Sequence, residues 1–302
     1  MDGSSYVWLD GKIIKSEEAN VPILTHSLQY GSGIFEGIRA YKTGSGGAIF
    51  RLDDHVRRFF NSARIYSIGL GISQAEFKNA IIETIKRNGL DECYIRPFAF
   101  YNDQSIGLGV SGKKVSVAVM AIPFGHYFAN KEKGIRCRVS SFHRINSLIL
   151  PPQAKASGNY INSILASMEA KRSGADEAIL LSSNGYVAEG PGENLFIVKD
   201  NALITPSASS DILIGITRDS VIRIAADEGI DVEEREVHRE ELLTCDEAFF
   251  TGTAAEITPI ISIDSEMLGD GEVGKITSKI GRLYSEIALG KKSKYANWLT
   301  YL

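Results

Sequence analysis

Residues 151–160 read PPQAKASGNY and stand just ahead of an amphipathic helical run. The single lysine of the stretch, Lys155, lies among small residues and behind a proline pair, a setting that has no need of a solvated charge. Lysine is among the side chains least often fully buried unless paired. In a small, turn-rich, apolar segment it becomes a candidate amine nucleophile, because desolvation favours the neutral amine. The commoner fate of a lysine is a loop position facing water. What separates the two readings is whether the rest of the chain builds a site around Lys155.

Bulk composition narrows the classes. At 302 residues the chain is long enough for two domains with real cores. Hydrophobic residues make up 44 % and charged residues 23 %, an ordinary balance for a soluble globular protein. A formal net charge of −4 gives no support to a nucleic-acid or membrane-surface role. Cys93, Cys137 and Cys245 are scattered singly without CxxC spacing, which predicts reduced intracellular thiols rather than a disulfide framework. His26, His55, His126, His143 and His238 lie far apart with no HExxH pair, so no metal centre is expected. The opening MDGSSYVWLDGK has no basic start or apolar h-region, and no apolar run reaches membrane-spanning length. A cytoplasmic globular protein is expected.

Outward from Lys155, the chain alternates short strands with helical stretches. Tyr6 to Ile14 reads as a hairpin about Asp10-Gly11. SLQYGSGIFEGIRAY, from Ser27 to Tyr41, is dense in glycine and aromatics. Its Gly31, Gly33 and Gly37 do not fit GxGxxG, so they predict close backbone approach rather than dinucleotide binding. Arg51 to Tyr66 takes the helical period through Val56, Phe59, Phe60 and Ala63. Arg57 and Arg58 flank that stripe, where they are either solvated or reach inward for an anion. A second helix has a Ser73/Glu76 capping box, a Phe77, Ile81 and Ile85 face, and Gly89 as its stop. Tyr94 to Tyr101 is a strand with Arg96 oddly placed in it, and Val115 to Ile122 is a strand expected to be buried on both faces.

These elements predict a small N-terminal α/β domain over residues 1–122, a connection over 123–134, and a larger C-terminal domain over 135–302. In the latter, Ile161, Ile164, Leu165 and Met168 form one helix face, and hairpins are expected about Asn184-Gly185 and Asp200-Asn201. EGPGENLFIV (189–198) is an acidic glycine turn that runs into an apolar strand. Gly215-Ile216-Thr217 opens a helix with Val221, Ile222, Ala225 and Ala226 inward, and a helix start can hold a phosphate on free N–H groups. TGTAAE (251–256) suits either anion contacts by backbone amides or a tight turn. Ile276 to Leu289 reads as a closing helix.

Lys155, Glu189 and the anion-friendly Arg58, Gly215–Thr217 and Thr253 together suit an enzyme that uses pyridoxal phosphate. Such an enzyme needs a lysine for the Schiff base, a partner for the ring nitrogen and a phosphate cup. The chain resembles the branched-chain amino acid aminotransferases of the fold-type-IV pyridoxal-phosphate class from about Trp8 to the C-terminus. The motifs are FEGIRAY (35–41), YIRP (94–97), AKASGNY (154–160), EGPGENLF (189–196), GITRD (215–219) and GTAAEITP (252–259). The resemblance implies a two-domain α/β fold (α+β-like in detail), a cofactor lying between the domains, and a dimer or multiple of dimers. By motif, Lys155 matches the Schiff-base lysine, Glu189 the carboxylate facing the pyridine nitrogen and Tyr160 the hydroxyl at the phenolic oxygen. Arg58, Gly192, Ile216, Thr217 and Thr253 fall at cofactor-binding positions.

For substrate, the resemblance places the α-carboxylate near Tyr94 and the Thr253-Ala254 turn, and Gly37 at a substrate-binding position. Tyr30 and Arg96 match the pair that receives glutamate's side-chain carboxylate. Phe35, Tyr127 and, from a neighbouring subunit, Leu108 and Val110 resemble an apolar pocket. Phe124 stands where many relatives carry Trp, a departure that bears on the pocket's width. The implied reaction is ping-pong transamination of leucine, isoleucine or valine with 2-oxoglutarate, Lys155 serving as acid and base once released. Rivals of the same fold are a D-amino-acid aminotransferase, an (R)-amine transaminase and an aminodeoxychorismate lyase. A cofactor-free anion-binding module is the rival from another class.

Overall fold

The structure is a computed structural model that describes residues 5–125, 127–128 and 131–302; His126 and part of the expected 123–134 connection lie outside these. The chain packs into two compact units. One comprises the chain up to Gly125, Ala154–Gly158 and Ile287–Leu302; the other runs from there to Gln153 and from Asn159 to Glu286. Two pieces that sequence order assigns to the second domain thus pack with the first. The C-terminal strand Leu299–Tyr301 pairs antiparallel with Gly46–Phe50, and Ala156 bridges to Ile34. Both pairings are far apart in sequence, so no local pattern announces them.

The first unit is built on an eight-stranded sheet. Its order is Leu299–Tyr301, Gly46–Phe50, Ile38–Thr43, Cys93–Tyr101, Val115–Ile122, Tyr6–Leu9 and Lys12–Lys15, with Gly33–Phe35 also paired to Cys93–Tyr101. The first hairpin turns at Asp10 and Gly11 with φ of 47° and 91°, the left-handed pair that a two-residue hairpin requires. Helices Leu52–Ile65 and Gln74–Arg87 cover one face, and Phe59 stacks on Phe77 with centroids 4.5 Å apart. Ser73 and Glu76 cap the second helix reciprocally, as expected. Val115–Ile122 departs from expectation. Val117, Val119 and Ala121 are buried, but Ala118 and Met120 turn to an apolar groove shared with Phe98 and Phe100. The strand pairs antiparallel on both sides, and an antiparallel sheet needs covering on one face only.

The second unit carries a nine-stranded mixed sheet. Its order is Val187–Glu189, Glu177–Leu181, Ile135–Val139, Glu256–Ile263, Glu247–Gly252, Asn194–Lys199, Ala202–Pro206 and Val232–Arg235, with Glu266–Met267 beside Glu256–Ile263. Helix Tyr160–Arg172 packs on Glu177–Leu181 through Ala166 and Ala170. This reverses the expected face: Ile161, Ile164, Leu165 and Met168 are 61, 50, 41 and 44 % exposed. Alanines let a helix lie close to a sheet, so the small face took the core side and the large apolar stripe was left outside. Helix Ile216–Asp227 buries Val221, Ile224 and Ala225, with Ala226 outward, a shift of the inward face from the expected one.

Candidate active site

Lys155 owes its place to backbone pairing. Its N–H donates to Ser62 Oγ at 3.0 Å and its carbonyl accepts from Phe35 N at 3.0 Å. Gly158 and Gly31 meet so closely that a Cβ on Gly31 would lie 3.3 Å from Gly158 Cα. The two glycine-rich motifs therefore touch through bare backbone. The lysine is half-buried, and its Nζ lies 4.9 Å from the Phe35 ring centroid.

Beneath it lies a buried charge cluster that sequence reasoning missed. Glu36 is fully buried and takes Arg58 Nε at 2.6 Å and Arg58 Nη2 at 2.9 Å, a fork-to-fork pair. Glu36 Oε2 also accepts from Gly37 N at 3.1 Å and pairs with His55 Nδ1 at 2.8 Å. A carboxylate only accepts, so the His55 proton sits on Nδ1. Burial alone would raise the Glu36 pKa, but Arg58 and His55 outweigh it and hold the carboxyl well below its usual range. Burial lowers His55, with Glu36 opposing and the nearby Arg58 and Lys155 charges adding to the fall. Arg58 is thereby held in one orientation, while Arg57 on the same helix is exposed and pairs with Asp54. Glu36 had the same signal as Arg96: a charge inside an apolar strand run.

Arg96 is the second cation of this unit. Its guanidinium lies 4.7 Å from the Phe35 centroid and 5.3 Å from that of Tyr94, and Nη2 donates to Tyr94 Oη at 3.0 Å. Its buried Nε has no hydrogen-bond partner among the described residues. Gly37 makes room for this arrangement: a Cβ there would fall 2.1 Å from Tyr94 Oη. The Phe124 ring stands 5.1 Å from Tyr94. Tyr30 Oη accepts from Gly107 N at 3.2 Å, Leu108 is exposed, and Val110 packs partly on the core.

In the other unit, Glu189 ends a short buried strand. Its Oε1 accepts from Arg144 Nε at 2.7 Å; its Oε2 accepts from Asn194 Nδ2 at 3.0 Å and Leu213 N at 3.1 Å. Neither Arg144 nor Asn194 was foreseen, since SSFHRINS around Arg144 shows no period. Gly215 starts helix Ile216–Asp227 with no side chain capping it, and Ile216 and Thr217 are buried there. A Cβ on Gly215 would lie 2.0 Å from Asn194 Oδ1, so only glycine fits. Thr253 and Ala254 form the turn from Glu247–Gly252 to Glu256–Ile263, closed by Glu256 at φ 54°. Thr251 Oγ1, on the strand leading in, is buried with no partner among the described residues. Gly192 N donates to Glu193 Oε2 at 3.0 Å, Tyr160 opens its helix half-buried, and Tyr127 is exposed.

One unit holds an amine, a clamped guanidinium and an aromatic-walled second cation; the other holds a carboxylate, paired with Arg144, beside an uncapped helix start. The chain belongs to the amino-transferase class IV family, which matches residues 33–263. Among its relatives, the branched-chain-amino-acid aminotransferase of Pseudomonas aeruginosa is 43 % identical over 301 residues, covering 99 % of this chain and 98 % of that one. A branched-chain aminotransferase from Thermoproteus uzoniensis, solved with norvaline, is 49 % identical with a TM-score of 0.95, over 99 % of both chains. A branched-chain amino acid aminotransferase from Thermobaculum terrenum, solved in its PLP-form (holo-form), is 37 % identical with a TM-score of 0.93, over 99 % of both chains.

The chain is therefore a fold-type-IV, pyridoxal-phosphate-dependent transaminase. Its residues fit that cofactor. The uncapped start of Ile216–Asp227 suits a phosphate, the Asn194-filled space at Gly215 brings Glu189 to that helix start, and Lys155 offers a half-buried amine. Among the described residues no helix is long and apolar enough to cross a membrane.

Proposed function

We propose that the chain transfers the amino group of L-leucine, L-isoleucine or L-valine to 2-oxoglutarate, giving glutamate and branched 2-oxo acids. One observation carries the reading: Arg96 and Lys155 both lie within 5 Å of the same Phe35 ring, at 4.7 and 4.9 Å. A site that alternates between a branched aliphatic chain and glutamate needs apolar walls with one cation set into them. Arg96 between Phe35 and Tyr94 answers that need, because a buried guanidinium donor without a partner is costly until an anion arrives.

Bound pyridoxal phosphate supplies a conjugated ring that takes up the electron pair left at the substrate Cα. The protein does the rest. Lys155 Nζ holds the cofactor in the resting enzyme, then moves the proton from Cα to the cofactor's C4′. Glu189 keeps a proton on the ring nitrogen, and Tyr160 faces the phenolic oxygen. Arg58, Gly192, Ile216, Thr217 and Thr253 hold the phosphate end. Tyr94, Gly37 and the Thr253-Ala254 turn receive the substrate carboxylate, Tyr30 and Arg96 the glutamate side chain, and Phe35, Phe124 and Tyr127 the aliphatic one.

The enzyme acts as a homodimer or multiple of dimers in the cytoplasm, with Leu108 and Val110 serving the neighbouring copy. Exposed apolar side chains support self-association: Ile161, Ile164, Leu165 and Met168 on one helix, and Ile23, Leu24, Leu28 and Leu108 in the first unit. An amino-donor panel with 2-oxoglutarate tests the assignment. L-Leucine, L-isoleucine and L-valine are expected to react; turnover of D-alanine or an (R)-amine alone would overturn it.

A further inference from the structure

Glu189 does not stand alone in its unit. Arg144 and Glu189 side chains are each 6 % exposed, and they pair through Arg144 Nε and Glu189 Oε1 at 2.7 Å. Arg144 is itself fixed. Its N–H donates to Leu181 O at 2.7 Å, and its Nη1 reaches Asn162 Oδ1 at 3.5 Å. Asn162, on helix Tyr160–Arg172, also accepts from Ile145 N at 3.3 Å and donates to His143 O at 2.9 Å. On the other oxygen, Asn194 Nδ2 spans Glu189 Oε2 and Leu213 O, at 3.0 and 2.8 Å. Asp211 is a second acidic group near Arg144; burial raises its pKa, and bonds from Ser183 and Ser147 and the Arg144 charge oppose the rise.

A carboxylate this buried favours its neutral acid unless a cation answers it. We propose that Arg144 is a positioning residue of the transaminase reaction: its guanidinium keeps Glu189 ionised and aimed, so that the proton shared with the cofactor's ring nitrogen resides on the nitrogen. The inference rests on the reading of Glu189 given above. Asn194 and the Leu213 amide orient the carboxylate but carry no charge, so they cannot replace Arg144 in this. Without Arg144 the shared proton passes from the ring nitrogen to a Glu189 oxygen: one N–H bond breaks, one O–H bond forms, and nothing else is exchanged. The ring is then neutral and a poorer acceptor of the Cα electron pair. The substrate-binding residues are untouched.

The test uses holoenzyme reconstituted with pyridoxal phosphate labelled with nitrogen-15 in the ring, read by NMR near neutral pH. Wild type is expected to show the protonated-ring shift, and Arg144→Met the neutral-ring shift, matching Glu189→Gln. Arg144→Lys, which restores a cation, is expected to return the signal toward wild type. Arg144→Gln keeps a donor to Oε1 without the charge, so it gives the same reading should the methionine variant not fold. In steady state Arg144→Met is expected to lose about 10²-fold in kcat with little change in KM for L-leucine. A protonated ring in Arg144→Met or Arg144→Gln, alongside a neutral one in Glu189→Gln, overturns the role of Arg144 alone. An unprotonated ring in wild type, or no change in Glu189→Gln, overturns the Glu189 reading and this inference with it.

Discussion

At the scale of single residues, the site works by giving each charge one permitted direction. Glu36 is the plainest case: it takes both prongs of Arg58, the backbone of Gly37 and the ring of His55. Removing its charge takes away the ion pair that orients Arg58 and loosens it, since breaking one partner of a buried pair costs more than the pair contributes. Glu36→Gln is expected to weaken pyridoxal phosphate binding about tenfold or more, measured by equilibrium dialysis of the apoprotein. Unchanged affinity would reject the view that Glu36 orients a phosphate-holding Arg58. Gly37 makes a sharper prediction. A methyl group there meets Tyr94 Oη at 2.1 Å, so Gly37→Ala must displace the phenol that Arg96 donates to. Since Tyr94 and Gly37 face the carboxylate that both substrates share, KM is expected to rise for L-leucine and 2-oxoglutarate alike; an unchanged KM for both would remove Gly37 and Tyr94 from substrate binding.

At the scale of elements, legibility followed locality. The turns at Asp10-Gly11 and Asp200-Asn201 could be read from residue type, because the left-handed backbone those positions adopt is one that few residues tolerate. The Ser73/Glu76 box could be read for the same local reason, and Ser73→Ala is expected to cost about 1 kcal/mol, seen as a lower denaturation midpoint. The helix Tyr160–Arg172 was misread because hydrophobic period reports which face is apolar, not which face the sheet selects. Its Ser163, Ala166 and Ala170 side won the core. Lys155 and Glu189 stand out in the sequence within glycine-rich or apolar runs, and Arg58 beside an apolar helical stripe. Arg144, His55 and Asn194 do not, since their significance comes from partners 45, 19 and 5 positions away.

At the scale of the whole molecule, the buried charges make stability depend on pH with a definite sign. Burial depresses His55 below its usual 6.5, so the unfolded chain binds that proton more readily than the folded one. Stability on its account is complete above pH 6.5 and falls as pH drops below that value. Glu36, held below its usual 4.5, adds a second loss as pH falls under 4.5. Thermal melts from pH 7.5 to 5 should show a falling Tm for wild type and a flatter profile for His55→Asn; identical slopes would remove His55 from the account. The exposed stripe on Tyr160–Arg172 gives a second prediction at this scale. Ile164→Lys with Met168→Glu is expected to shift sedimentation toward smaller species while leaving the fold intact by circular dichroism; an unchanged sedimentation coefficient would place the self-association surface elsewhere.

The claim on which the rest depends is that Lys155 carries the cofactor. Borohydride reduction of the pyridoxal-phosphate-loaded protein, followed by digestion and peptide mass spectrometry, traps the lysine–cofactor bond where it stands. The account predicts one phosphopyridoxyl-modified peptide, spanning PPQAKASGNY and labelled at Lys155, with no label in Lys155→Ala. Label on a different lysine of the wild-type protein, or none at all, would contradict it.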